Sequence, residues 1–165
     1  MTPWAPTKAA HLLVLALKEV GKPYVLGSEG PPGESLKTWD CSELVQHLLA
    51  QVGVEQVTNS NGRVTPIAVF DGAGFQWERS RSIPFESGVK LPGALLFIKS
   101  SAAYARKPHN IGHVAISLGN GYILEARGSR YGVTIGPVRP SFKLACKVRE
   151  LYTPAVLAQN ATIAA

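Results

Sequence analysis

The chain has 165 residues, enough for one domain that buries its own core without metal or disulfide staples. Apolar residues make up 45% of it and charged ones 17%, which excludes a disordered chain, and 16 Gly with 12 Pro argue against a plain helical bundle. The net charge of +6 favours polyanions, but pairs such as Arg79 with Arg81 and Arg106 with Lys107 are scattered, with no stripe alternating with aromatics, so nucleic-acid binding ranks low.

In chain order, Thr7 is a helix cap, and Leu12, Leu13, Ala16, Leu17 and Val20 form one apolar stripe that Gly21 and Pro23 end. The apolar run Leu12–Leu17 is too short for a signal peptide and meets Lys18 and Glu19 rather than a cleavage site. Nothing approaches the roughly 18 apolar residues of a membrane span. The expectation is synthesis in the cytoplasm and no membrane insertion. Residues 22–39 are rich in Gly and Pro and read as loop. A second helix is predicted from Cys41 to Val52, stopped by Gly53. From 54 to 90 Asn59, Asn61, Gly62, Gly72 and Gly74 break every period, and Phe70, Phe75 and Trp77 are expected to pack a long loop onto the body. After Pro92-Gly93 five strands are predicted: Ala94–Lys99, His113–Leu118, Tyr122–Arg127, Gly132–Val138 and Leu144–Tyr152. Helices first and an antiparallel meander later indicate an α+β domain over residues 1–152. Residues 153–165, mostly small, read as a tail or the start of a linker.

The chemistry concentrates in two places. Asp40 and Glu43 have capping-box spacing, which makes Cys41 the first residue of the second helix. The positive end of the helix dipole favours the thiolate there. Cys41 precedes Leu44 and Val45 by three and four residues, so its sulfur turns toward the packed side. A small buried cysteine in a well-capped helix is the plainer alternative. Cys146, inside an apolar strand, is structural. The two cysteines lie in different settings and offer neither a disulfide framework nor a metal spacing.

Of the histidines, His11 and His47 fall inside helices. His109 and His113 are four apart, but four strand residues span roughly 13 Å, too far to share an ion, so no metal and no cofactor are expected. The hairpin that starts at His113 has two possible registers. A two-residue turn at Asn120-Gly121 pairs Gly119 with Tyr122; a three-residue loop pairs Leu118 with Tyr122. The second separates the faces better. It puts Val114, Ile116, Leu118, Tyr122, Leu124 and Ala126 on one side, and His113, Ala115, Ser117, Ile123, Glu125 and Arg127 on the other. Glu125 then lies diagonal to His113 and can fix its tautomer. A surface Glu–Arg pair beside a strand histidine is the alternative.

Gly21-Lys22-Pro23-Tyr24 with Gly27, Asp40-Cys41-Ser42, Pro92-Gly93 before a strand, and His113-Val114-Ala115-Ile116 with Gly119-Asn120-Gly121 occur in an order that resembles the NlpC/P60 cysteine peptidases. The resemblance implies a papain-like fold and a hydrolase of peptidoglycan stem peptides. By position, Cys41 is the implied nucleophile, His113 the base, and Glu125 the third polar residue, where the family more often has His, Asn or Gln. Tyr24 matches an oxyanion-side tyrosine, and Asp40 and Ser42 match residues that receive the stem peptide's amine. Glu43 and Ala94 depart from the family's glycine and aspartate. Members often cut the γ-D-glutamyl-diaminopimelate bond, and the peptidase module of a bacteriophage lysin is the setting implied here, as a monomer, with further lysin domains following. Rival readings are an N-acetylmuramoyl-L-alanine amidase and a non-catalytic wall-binding module. If Glu125 is not the third residue, Asn110 or a backbone carbonyl takes that place.

Overall fold

The computed structural model describes residues 7–31, 33–99 and 107–152; the expected tail, 153–165, lies outside the described residues. Helix α1 (Lys8–Leu17) starts at Thr7, whose side chain accepts a hydrogen bond from the Ala10 amide. Only part of its predicted stripe is used. Ala9, Leu12 and Ala16 are buried, whereas Leu17 and Val20 face solvent, because tight turns (Glu19 amide to Ala16 carbonyl, 3.0 Å) lead the chain away and the Gly21 amide joins the Val133 carbonyl at 2.9 Å.

Helix α2 (Cys41–Gln51) is the centre of the molecule. Every residue from Cys41 to Leu49 is buried, so this helix is enclosed on all sides rather than on one stripe. Gln46 donates to the Ile67 carbonyl at 2.8 Å, and His47 stacks against Trp39 at 4.7 Å. Leu44, Leu48 and Leu49, each at most 1% exposed, contribute about 1.5–3 kcal/mol apiece by leaving water.

The expected long loop at 54–90 is instead a series of short elements. A hairpin of β1 (Gln56–Thr58) and β2 (Val64–Pro66) leads into a short 3-10 turn, then α3 (Ala73–Arg79), β3 (Arg81–Ile83) and α4 (Phe85–Lys90). None is long enough to show a period. Phe70 is buried and Trp77 packs against the core, but Phe75 is exposed, contrary to expectation.

Strands β4 (Leu95–Lys99), β5 (Ile111–Gly119), β6 (Tyr122–Ala126), β7 (Val133–Pro137) and β8 (Phe142–Lys147) complete a six-stranded antiparallel sheet in the order β3-β8-β4-β5-β6-β7. The predicted meander therefore covers only β4 to β7; β8 returns across the sheet to lie on the other side of β4. The last predicted strand ends at Lys147, where the chain turns through a 3-10 segment, Arg149–Tyr152. One sheet face (Phe97, Val114, Ile116, Leu124) packs into the core with α1 and α2. The opposite face (Leu96, Ala115, Ile123, Phe142, Ala145) lies under Phe85 and Val89 of α4. Both faces are covered, so β5 is buried almost continuously. Among the described residues no helix is long and apolar enough to cross a membrane.

The β5–β6 hairpin combines the two expected registers. Its turn is the two-residue one: Gly119 pairs with Tyr122, with positive φ at Asn120 (54°) and Gly121 (81°) as such a turn requires. Its body keeps the other register, Ile116 with Leu124 and Ser117 with Ile123. A bulge at Leu118–Gly119 takes up the extra residue. Burial of the two faces sets the register, and the bulge reconciles it with the turn.

Candidate active site

Asp40 shapes the start of α2. One carboxylate oxygen accepts from the Glu43 amide at 2.9 Å and from the Ser42 hydroxyl at 3.3 Å; the other accepts from the Gly27 amide at 3.1 Å. The same side chain thus caps the helix and fixes the loop that carries Tyr24 beside it. The expected capping box is only half formed. Glu43 does not reach back to Asp40 but accepts from the Gly30 amide at 3.3 Å. A second anchor of this loop escaped the sequence reading: Glu19 accepts from Trp39 Nε1 at 2.8 Å and Ser35 Oγ at 3.1 Å and pairs with Lys22.

Tyr24, Asp40, Cys41 and Ser42 line one open cavity of about 420 Å³. Asp71 to Phe75, at the start of α3, form a second wall, and Lys107, Pro108, Ile111 and Gly112 a third. Gln76 ties the second wall to the first: it is fully buried and donates to the carbonyls of Ser42 (2.9 Å) and Phe70 (3.0 Å). No period or motif marks Gln76 in the sequence, because its partners lie on other elements.

His113, near the start of β5, lies close enough to Cys41 for the two side chains to interact. On its other edge, His113 Nε2 lies 2.6 Å from Glu125 Oε2, which leaves Nδ1 for the thiol. Glu125 is 3% exposed and is also held by Arg139, Nη1 to Oε1 and Nη2 to Oε2, the latter at 3.0 Å. Burial alone pulls His113 toward the neutral form, but its hydrogen bonds and charge interactions with Cys41 and Glu125 outweigh that and raise its pKa to about 9. Burial likewise favours the neutral acid at Glu125, and the hydrogen bonds from His113 and Arg139 overcome it, leaving its pKa below the ordinary carboxylate value. Together the four side chains bring the imidazole between the thiol and a carboxylate that Arg139 holds, an arrangement able to exchange a proton between sulfur and ring.

The remaining candidates fall elsewhere. His109 lies 3.8 Å from Glu78 of α3, and among the described residues Glu125, not Asn110, holds the ring. Cys146 is fully buried in β8 with its thiol directed at the Trp77 carbonyl (3.5 Å), and burial pushes its pKa well up; both cysteines are free. A neutral alkylating agent is therefore expected to label Cys41 at least about tenfold faster than Cys146 in the folded protein, read by mass spectrometry of the peptides. Equal rates would contradict this.

Glu43, buried under the cavity, has its pKa raised to about 7 by burial first, against the Gly30 amide and with help from Asp40, Asp71 and Glu29. A raised acid pKa means the folded state holds the proton longer, so stability falls as pH rises from about 4.5 through 7. Glu43→Gln is expected to remove that loss. Its Tm advantage over the parent should grow between pH 5 and 8, and a constant offset would refute the assignment.

No curated protein matches the chain. Among solved structures it is similar to the peptidoglycan hydrolase RipB of Mycobacterium tuberculosis, with 27% identity and a TM-score of 0.62 over 86% of this chain and 64% of that one. The NlpC/P60 domain of the peptidoglycan hydrolase SagA matches at 26% identity and TM-score 0.60, covering 84% of this chain and 97% of that domain. The P60 domain of an antigen from M. avium subspecies paratuberculosis matches at 26% and 0.62, covering 88% and 96%. The chain thus spans just under two thirds of the RipB chain and nearly all of the two isolated domains. The family model described as NlpC/P60 matches residues 21–149, the stretch that contains both the capped helix and the His113 hairpin, and the chain belongs to the NlpC/P60 family.

Proposed function

We propose that this chain is a cysteine endopeptidase that cleaves the stem peptides of bacterial peptidoglycan. The observation that carries the reading is the His113 ring, held by Glu125 and interacting with Cys41, which lines the same cavity as Tyr24, Asp40 and Ser42. In this scheme Cys41 Sγ gives up its proton to His113 and attacks the scissile carbonyl, forming a tetrahedral oxyanion. The Cys41 backbone amide and the Tyr24 hydroxyl serve as its donors in this scheme. His113 then protonates the leaving amine as the C–N bond breaks, leaving a thioester. Water, activated by His113, hydrolyses the thioester and restores the thiol. Glu125 keeps the ring in the required tautomer throughout. Asp40 and Ser42, on either side of Cys41 in the chain, offer acceptors to a free amine, although both also serve the helix cap.

The bond that fits best is the one between γ-D-glutamate and diaminopimelate, by family likeness. Digestion of purified peptidoglycan followed by identification of the newly exposed amine tests this. A new diaminopimelate amine is the expected product. Release of intact stem peptides from muramic acid would instead make the chain an amidase, and no new ends at all would make it a binding module. The net charge of +6 suits an anionic wall and the lysin setting. Lysis of intact sacculi supports that setting; cleavage restricted to soluble fragments would count against it.

A further inference from the structure

Glu125 is a carboxylate in a buried position, and a buried carboxylate needs a counter-charge. Arg139 supplies it with a two-pronged fork onto both Glu125 oxygens. The turn after β7 holds the arginine in place. The Phe142 amide bonds back to the Arg139 carbonyl at 3.1 Å, with Pro140 as the first central residue. The Phe142 ring lies 5.1 Å from the guanidinium and 5.8 Å from the His113 ring, so one aromatic contacts both.

We propose that Arg139 is a positioning residue for the Cys41–His113 pair, locking the Glu125 carboxylate in orientation and drawing off part of its charge, so that Glu125 orients the imidazole without trapping its proton. The proposal rests on the hydrolase reading for its purpose but not for its geometry. Among the described residues, the ionisable groups facing His113 are Cys41 from α2 and Glu125 from β6; Arg139 stands behind Glu125, and Tyr131 is the further group that bears on Arg139. Without Arg139 the carboxylate would bind the charged ring more strongly, and His113 would hold its proton to higher pH. Without Glu125 it would lose the proton earlier. These two effects have opposite signs, which a merely structural role for Arg139 would not produce.

The test follows the pH dependence of Cys41 alkylation by iodoacetamide, and of kcat/KM on wall fragments, in the parent, Glu125→Gln, Arg139→Gln, Arg139→Lys and the Glu125→Gln/Arg139→Gln double variant. Arg139→Gln is expected to move the alkaline limb up by about one pH unit and to lower kcat about tenfold with little change in KM. Glu125→Gln should move the limb down, and Arg139→Lys should keep the parent's limb with a partial kcat. The double variant, which buries no lone charge, should follow Glu125→Gln in its limb and stands in if Arg139→Gln does not fold: a limb at the parent's position would then overturn the proposal. So would an unmoved limb in Arg139→Gln, or one shifted down. Alkylation needs no substrate. Opposite shifts in a parent that cleaves no wall would sink the hydrolase reading and leave Arg139 standing; full wall cleavage by Arg139→Gln with the parent's limb would do the reverse.

Discussion

Cys41→Ala is expected to lower hydrolysis of peptidoglycan by at least about three orders of magnitude while leaving the fold intact. Among the described residues that line the cavity, Cys41 is the nucleophile with an imidazole beside it, whereas its volume is small and its loss from the edge of the core costs on the order of 1 kcal/mol. Neither Ser42, whose hydroxyl is engaged with Asp40, nor the distant Cys146 can replace it. Urea melts of the variant should overlay the parent's within about that margin while release of soluble wall fragments stops. Retained release would refute the assignment of the nucleophile, and a collapsed melt would mean that Cys41 matters for packing instead.

The largest effect on stability is expected from Glu125→Ala. The carboxylate sits between two cationic partners, His113 and Arg139, in a position 3% exposed. Deleting it strands a guanidinium and removes the ring's only carboxylate partner among the described residues. Breaking a buried pair from one side costs about 3–5 kcal/mol, and the Arg139 side chain is 26% exposed, which argues for the lower end, about 3 kcal/mol. The pH dependence has a definite sign. With its pKa raised to about 9, His113 lends the fold stability that is fully present below about 6.5 and is lost as pH rises through 9. Glu125, with its pKa depressed, lends stability above about 4.5 that is lost in acid. The parent minus Glu125→Ala difference should therefore be widest between roughly pH 5 and 6.5 and narrow on both sides. A difference under about 0.5 kcal/mol throughout would mean that Arg139 finds water or another acceptor with no penalty.

The parts of the site legible in the sequence are those built by local rules. Asp40 followed by Cys41 and five apolar positions encodes a capped, buried helix within one short stretch, and the structure agrees to within one residue at its end. The faces of the His113 hairpin were readable because strand periodicity separates polar from apolar side chains over only a few residues. What could not be read depends on distant partners. Arg139 follows a strand and carries no periodic or motif signal; it matters only because β7 turns back beside β6. Gln76 and Glu19 are similar, since each looks like an ordinary polar helix residue until α3 meets α2 or the 22–39 loop folds over Trp39. The segment from 54 to 90 failed for another reason. Its elements run from three to seven residues, below two helical turns, and tertiary packing overrides propensity at that length.

The bulge at Leu118–Gly119 has a practical use. Strand β5 runs from the His113 end to an exposed tip at Asn120, six or more residues away, or roughly 20 Å. Because the hairpin's alignment is dictated by its buried sides and not by its tip, extra chain spliced between Asn120 and Gly121 has no lever on Glu125. An affinity handle or a fluorescent reporter attached at that point is expected to leave the Cys41–His113 pair undisturbed, which equal Cys41 alkylation rates with and without the insert would check.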